Sequence, residues 1–256
     1  MKDREELLKV NELSAGYSGL SVLNGISFSL NRGEILSVIG ANGSGKSTLL
    51  KTISGELKPL SGSVVLSGRD LKEYDLSSLS KKISLLLTDR VKPPLMTGRQ
   101  VIETGRFPYT GRFGALTDSD NSLVSDIIKE TGVTNLADRE FMRLSDGERQ
   151  RILFARALAQ EPELLIMDEP FLYLDIRFKF EFLELIRRFA EEKGIGVIMS
   201  CHEADLAFDI SDSIAALKYG RLFSYGPPAK VSAPEVMTEL YDLTEEQYDR
   251  IFRRVQ

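Results

Sequence analysis

Cysteine, histidine and clean apolar spans are what this chain of 256 residues has least of, with one Cys and one His. The single cysteine, Cys201, leaves no pair for an internal disulfide and suits a reducing compartment. The longest largely apolar stretch, Ile195 to Leu217, has the length of a membrane span but carries His202, Glu203, Asp205, Asp209 and Asp212. At about 3 kcal/mol for each carboxylate near a bilayer centre, insertion is opposed, so any membrane span would belong to another subunit. The start, Met1-Lys2-Asp3-Arg4-Glu5-Glu6, is charged with no apolar run behind it, which argues against a secretory signal and predicts a cytoplasmic protein. No long basic run exists either: 33 basic residues stand scattered against 38 acidic ones, which disfavours nucleic acid as a partner. Length and 42% hydrophobic content fit one large α/β domain with a lobe inserted in it.

What is present begins with Gly40-Ala41-Asn42-Gly43-Ser44-Gly45-Lys46-Ser47-Thr48, directly after the apolar run Ile35 to Ile39. A glycine, four residues and Gly-Lys-Ser between a strand and a helix-capable segment (48–56) predict a phosphate-binding loop. Glycines let successive backbone N–H groups turn toward one phosphate, while Lys46 reaches the terminal phosphates and the Ser47 hydroxyl ligates Mg2+.

Alternation from Val10 to Ile35, with turn signals at Ala15-Gly16 and Asn31-Arg32-Gly33, predicts short antiparallel strands, and Val64 to Leu66 extends that layer. Ile83 to Leu87 reads as a central strand; helical patterns then dominate from Val101 to Leu158. Leu164 to Met167, a helix over 177–193 and the run Gly196 to Ser200 restore the strand–helix alternation of a parallel sheet. Glu245 to Arg253 is an amphipathic helix candidate that packs on the core.

Asp168 and Glu169 stand where the apolar run Leu164 to Met167 ends, the edge at which open α/β sheets bind ligands. Asp168 is placed to orient Mg2+ or its waters, and Glu169 to polarise a water for attack on a γ-phosphate. Ser145-Asp146-Gly147-Glu148 has capping-box spacing ahead of Ile152, Leu153 and Ala155.

Phosphate loop at Gly40, Ser145 segment, acidic strand end and His202 occur in the order of the ABC family of ATPases, which the chain resembles along nearly its whole length. The resemblance implies a P-loop NTPase fold with a mostly parallel central sheet, an N-terminal antiparallel β layer and an inserted helical subdomain. One domain would cover 1–256, with the lobe at about 98–160 and a C-terminal tail at about 227–256. It implies ATP and Mg2+ as ligands and a homodimer that sandwiches nucleotide. Gly40, Asn42, Gly43, Ser44, Gly45, Lys46, Ser47 and Thr48 of one copy would face Ser145, Asp146, Gly147 and Glu148 of the other. By the same resemblance, Tyr17 stacks on adenine, His202 contacts the γ-phosphate and Asp175 speaks across the dimer interface. Two positions depart from the family pattern: Thr88 and Asp89 stand where a metal-ligating glutamine is usual, making Thr88 a substitute Mg2+ ligand, and Leu172 replaces a serine. Gly105-Arg106-Phe107-Pro108-Tyr109, with Asp146 and Glu148, resembles the ATPase subunits of importers for iron chelates, haem and cobalamin. That implies a peripheral protein on the cytoplasmic face of a membrane, docked through 88–111 on transmembrane permease subunits and served indirectly by a substrate-binding protein. The competing expectation is a soluble ABC ATPase of iron–sulfur cluster assembly or another cytosolic scaffold.

Overall fold

The computed structural model describes residues 5–87, 93, 95–111, 114–172 and 174–252. Its first elements are β1 (Glu6–Tyr17) and β2 (Leu20–Asn31), an antiparallel pair with Val10 opposite Phe28 and Ala15 opposite Leu23. These strands are long rather than short, and the turn falls at Ser18-Gly19, not at Ala15-Gly16. Positive φ at both turn residues, 50° and 80°, is the pattern of a two-residue hairpin loop. Gly16 serves close approach instead: a Cβ there would lie 1.9 Å from the Leu20 carbonyl oxygen.

After β3 (Ile35–Ile39) and α1 (Lys46–Ile53) come β4 (Ser61–Leu66), β5 (Arg69–Asp70), α2 (Leu76–Leu79) and β6 (Ile83–Leu86). The lobe comes next as α3 (Gly98–Glu103), α4 (Asp118–Glu130) and α5 (Asp146–Ala159). The chain returns through β7 (Leu164–Asp168), α6 (Ile176–Lys193), β8 (Gly196–Ser200) and α7 (Ala204–Ile210). It ends with β9 (Ser213–Lys218), β10 (Arg221–Gly226), α8 (Pro228–Val231), α9 (Pro234–Leu240) and α10 (Glu245–Phe252).

Two sheets form, ordered β2-β1-β4-β5 and β10-β9-β3-β8-β7-β6. The first is antiparallel; in the second only β10 runs against its neighbour. Every residue of β3 and β8 is buried, as a parallel strand covered on both faces requires. Leu36 and Val38 join one core with the antiparallel layer and α1, whereas Ile35 and Ile39 join another with the lobe and α6. Ile83 to Leu86 proves to be the edge strand rather than a central one. Its apolar character comes from the α2 and α5 sides packed over it, which periodicity alone does not distinguish from a central place. The β9–β10 hairpin, which begins inside the long apolar stretch and runs past its end, has no turn signal beyond Tyr219-Gly220.

Candidate nucleotide site

The order of the six-stranded sheet brings the C-terminal ends of β3, β7 and β8 side by side, and the polar residues just past them make the site. The loop after β3 starts at Gly40 with φ 144°, and a Cβ there would lie 2.2 Å from the Leu217 carbonyl oxygen. Only glycine tolerates both constraints. Gly43 and Gly45 also have positive φ, and Gly45 leads straight into α1, so the loop's N–H groups merge with the positive end of a helix. Lys46 is buried, its Nζ donating to the Gly40 and Ala41 carbonyls at 2.8 and 3.2 Å. Burial lowers its pKa, while Glu169, Asp168 and Cys201 act in the raising direction.

At the end of β7, Ser200 on the neighbouring strand organises both acids: its Oγ donates to Asp168 Oδ1 at 2.5 Å and accepts from the Glu169 N–H at 2.9 Å. Glu169 itself has φ 49°, a left-handed backbone conformation that costs a non-glycine residue about 1 kcal/mol or more. The Ser200 bond and the Leu172 N–H bond to the Glu169 carbonyl at 3.1 Å hold that conformation. His202, just past β8, places Nε2 2.5 Å from Glu169 Oε1. Ser200 escaped sequence reasoning. Its only signal was a polar residue closing an otherwise apolar run.

Asn42, Gly43, Gly45, Lys46, Ser47, Thr48, Glu169 and His202 therefore share one cleft of about 210 Å³. The buried Ser44 Oγ, in the same loop, has no hydrogen-bond partner among the described residues, so the loop carries an unspent donor suited to an anionic oxygen. Among the described residues no group of three or more His, Cys, Asp or Glu forms a metal cage. Ser47 and Asp168 alone suit Mg2+ that keeps waters and shares phosphate oxygens, rather than a fully protein-bound ion. Thr88 and Asp89 lie outside the described residues. Tyr17 is half-exposed at the end of β1. Cys201 is buried, donates to the Glu203 carbonyl and has its thiol pushed up to about 11 by burial, so it stays protonated.

Ser145, Asp146, Gly147 and Glu148 do not line this cleft. They form the start of α5 as a capping box: Ser145 Oγ accepts from the Glu148 N–H at 3.3 Å, and Glu148 Oε2 accepts from the Ser145 N–H at 2.8 Å. Arg139 adds an ion pair to Glu148 at 2.9 Å. Gly147 sits over Leu174 and Phe178, and Gln150 donates to the Pro170 carbonyl, tying α5 to the loop beyond Glu169. Asp175 caps α6 by accepting from the Phe178 N–H at 3.0 Å.

The sequence profile described as "ABC transporter" matches residues 23–172. The chain belongs to the ABC transporter family. An uncharacterised ABC transporter ATP-binding protein of Methanocaldococcus jannaschii is 43% identical over 96% of this chain and 84% of its own length. The iron(3+)-hydroxamate import ATP-binding protein FhuC of Bacillus subtilis is 33% identical over 93% of this chain and 89% of its own. Among solved structures, an inward-facing ABC transporter described as of metal-chelate type superposes with a TM-score of 0.81 at 28% identity, covering 92% and 89% of the two chains. The fold is thus that of the ABC ATPases, with ATP as ligand and ATP hydrolysis coupled to transport as activity.

One basic residue departs from expectation. Arg106, which lies in the segment 88–111 expected by resemblance to dock on the permease, is buried, pairing with Asp120 at 2.8 Å and Glu161 at 2.7 Å. It braces the lobe and has no free charge for a partner. Of the other basic residues at 90–112, Arg99 donates to Ser125 Oγ, while Arg90, Lys92 and Arg112 lie outside the described residues.

Proposed function

We propose that this chain is the ATP-hydrolysing subunit of an importer for iron-siderophore, haem or cobalamin-like chelates. It would work as a nucleotide-sandwich homodimer beneath separate transmembrane permease subunits, on the cytoplasmic face of the membrane. The observation that carries the hydrolytic reading is Glu169 at the Lys46 cleft, its carboxylate held by His202 and its backbone N–H by Ser200. The relatives named for iron-hydroxamate import and metal-chelate transport support the cargo class.

In this reading the loop N–H groups, Ser44 Oγ and Thr48 cradle the phosphates, and Lys46 leaves its carbonyl partners to meet the terminal ones. Ser47 and Asp168 would hold Mg2+, which would supply charge neutralisation at the phosphate oxygens. Glu169 accepts the proton of the attacking water, and His202 orients Glu169 and reaches the γ-phosphate. Tyr17 offers a flat ring to adenine. Ser145, Asp146, Gly147 and Glu148 lie outside the cleft of their own chain, so a second copy must supply them. Asp175 and exposed apolar side chains nearby, Ile176 at 75% and Phe180 at 53% accessibility, mark the face that meets that copy.

The permease is received by the groove of about 400 Å³ between β6 and α5. The test is to purify the tagged chain from detergent-solubilised membranes of its host and identify its companions by mass spectrometry. A multispan subunit in near-equal amount, with ATP-dependent chelate uptake that the chain restores to a deletion strain, is the expected result. Recovery from cytosol alone, with soluble partners, would replace the importer by the scaffold ATPase.

A further inference from the structure

The interlobe groove has a leucine floor and one unusual wall. Leu76 and Leu79 come from α2, Leu85, Leu86 and Leu87 from β6 and its end, and Leu153 from α5. Leu153, Arg156 and Gln160 fall on one face of α5 by their spacing of three and four, and all three line the groove. Gln160 is spoken for: its amide donates to the Ser80 and Ile83 carbonyls, and its Oε1 accepts from Ser84. Arg156 is different. Among the described residues its guanidinium makes one hydrogen bond, Nε to Thr104 Oγ1 at 3.1 Å, and no carboxylate comes within ion-pair distance. Burial lowers its pKa, yet a guanidinium stays protonated in proteins.

Resting on the importer reading, we infer that Arg156 selects the docking segment: the occupant of this groove is a short apolar stretch of the permease that carries an Asp or Glu, whose carboxylate pairs with Arg156. A wholly apolar segment would seal the guanidinium away from water with one hydrogen bond, and a basic one would repel it; an acidic side chain forms a bidentate pair in a site screened by leucines. Leu76, 84% accessible, and Leu87 supply the apolar contact around that pair.

The experiment uses the complex that the wild-type chain brings out of solubilised host membranes. Arg156→Lys replaces the guanidinium with an amine, and a zero-length carbodiimide then joins that amine to any carboxylate in contact. Mass spectrometry should find it linked to an Asp or Glu in a cytoplasmic loop of the permease. A link only to an acid of this chain, such as Asp89 or Glu161, overturns the inference. In parallel, Arg156→Glu should weaken recovery of the permease at least about thirtyfold while the isolated chain keeps its melting temperature and basal ATP hydrolysis. A permease lysine substituted at the cross-linked acid should restore it. Equal permease recovery by wild type and Arg156→Glu sinks the inference but leaves the importer reading intact. If wild type itself recovers no permease, the importer reading has failed first.

Discussion

Lys46 and Arg156 are both cations drawn away from water, and burial lowers the pKa of each, but their surroundings differ. Lys46 faces two carboxylates and two carbonyls of its own chain, at the end of a sheet whose strand order fixes them all. Arg156 stands in a wall of leucines with, among the described residues, a single hydroxyl partner. A site that does chemistry arrives with its charges already balanced, so that little must reorganise when substrate binds. A surface that recognises another subunit keeps one charge in reserve, and specificity follows from who can answer it.

The comparison breaks most sharply at its catalytic end. Lys46→Ala should lower ATP hydrolysis at least about a hundredfold, because a fixed donor to the terminal phosphates disappears. Phosphate release by the purified chain checks this, and turnover within twofold of wild type would end the phosphate-loop assignment. Glu169→Gln should retain ATP but slow kcat by about a hundredfold, the scale of a lost general base. Because ATP stays bound, gel filtration with ATP should show a dimer that persists; a fast, monomeric variant would remove Glu169 from its proposed role.

Ser200→Ala probes the scaffold behind those groups. It removes the hydroxyl that bridges Asp168 and the Glu169 N–H, freeing a carboxylate whose backbone sits at φ 49°. A fall of about tenfold in kcat with unchanged KM for ATP is expected, since the phosphate cradle on β3 and α1 is untouched. A change in KM alone would mean that Ser200 supports binding rather than geometry.

Much of this site is legible in the amino-acid sequence, for a physical reason. A phosphate loop needs glycines at fixed positions, and Gly40, Gly43 and Gly45 declare it in one continuous segment, as Asp168-Glu169 declares a strand end. Contacts assembled across the sheet leave weaker marks. Ser200 meets Asp168 because β7 and β8 are neighbours, an order that no local pattern carries. Arg106 and Arg156 look alike in sequence, yet one is satisfied by Asp120 and Glu161 while the other has no carboxylate partner among the described residues. Edge and centre are likewise confused at Ile83 to Leu86, because packing from both sides makes an edge strand as apolar as a central one.

The smallest expected effect supplies the control for Arg156. Glu163 is its inverse: a partly buried carboxylate answered entirely within the chain, by Lys82, by Ser67 at 2.5 Å and by Arg32 at 2.9 Å. Burial alone would raise its pKa, but these hydrogen bonds and the Lys82 charge outweigh it and hold the group at about 2. A carboxylate depressed on folding contributes stability above its unfolded pKa near 4, and that contribution is lost as pH falls toward about 2. Glu163→Gln should therefore cost about 1 kcal/mol, or about 3 °C in Tm, at pH 7 and only a small part of that at pH 2, where the folded-state carboxyl is about half protonated. ATP hydrolysis and permease recovery should stay within twofold of wild type. Melting curves from pH 7 to pH 2 check the first part; a Tm difference that persists undiminished at the acid end would mean Glu163 acts through packing rather than charge. The contrast with Arg156 then becomes measurable: a charge partnered at home affects stability and leaves docking alone, whereas a charge partnered abroad affects docking and leaves stability alone.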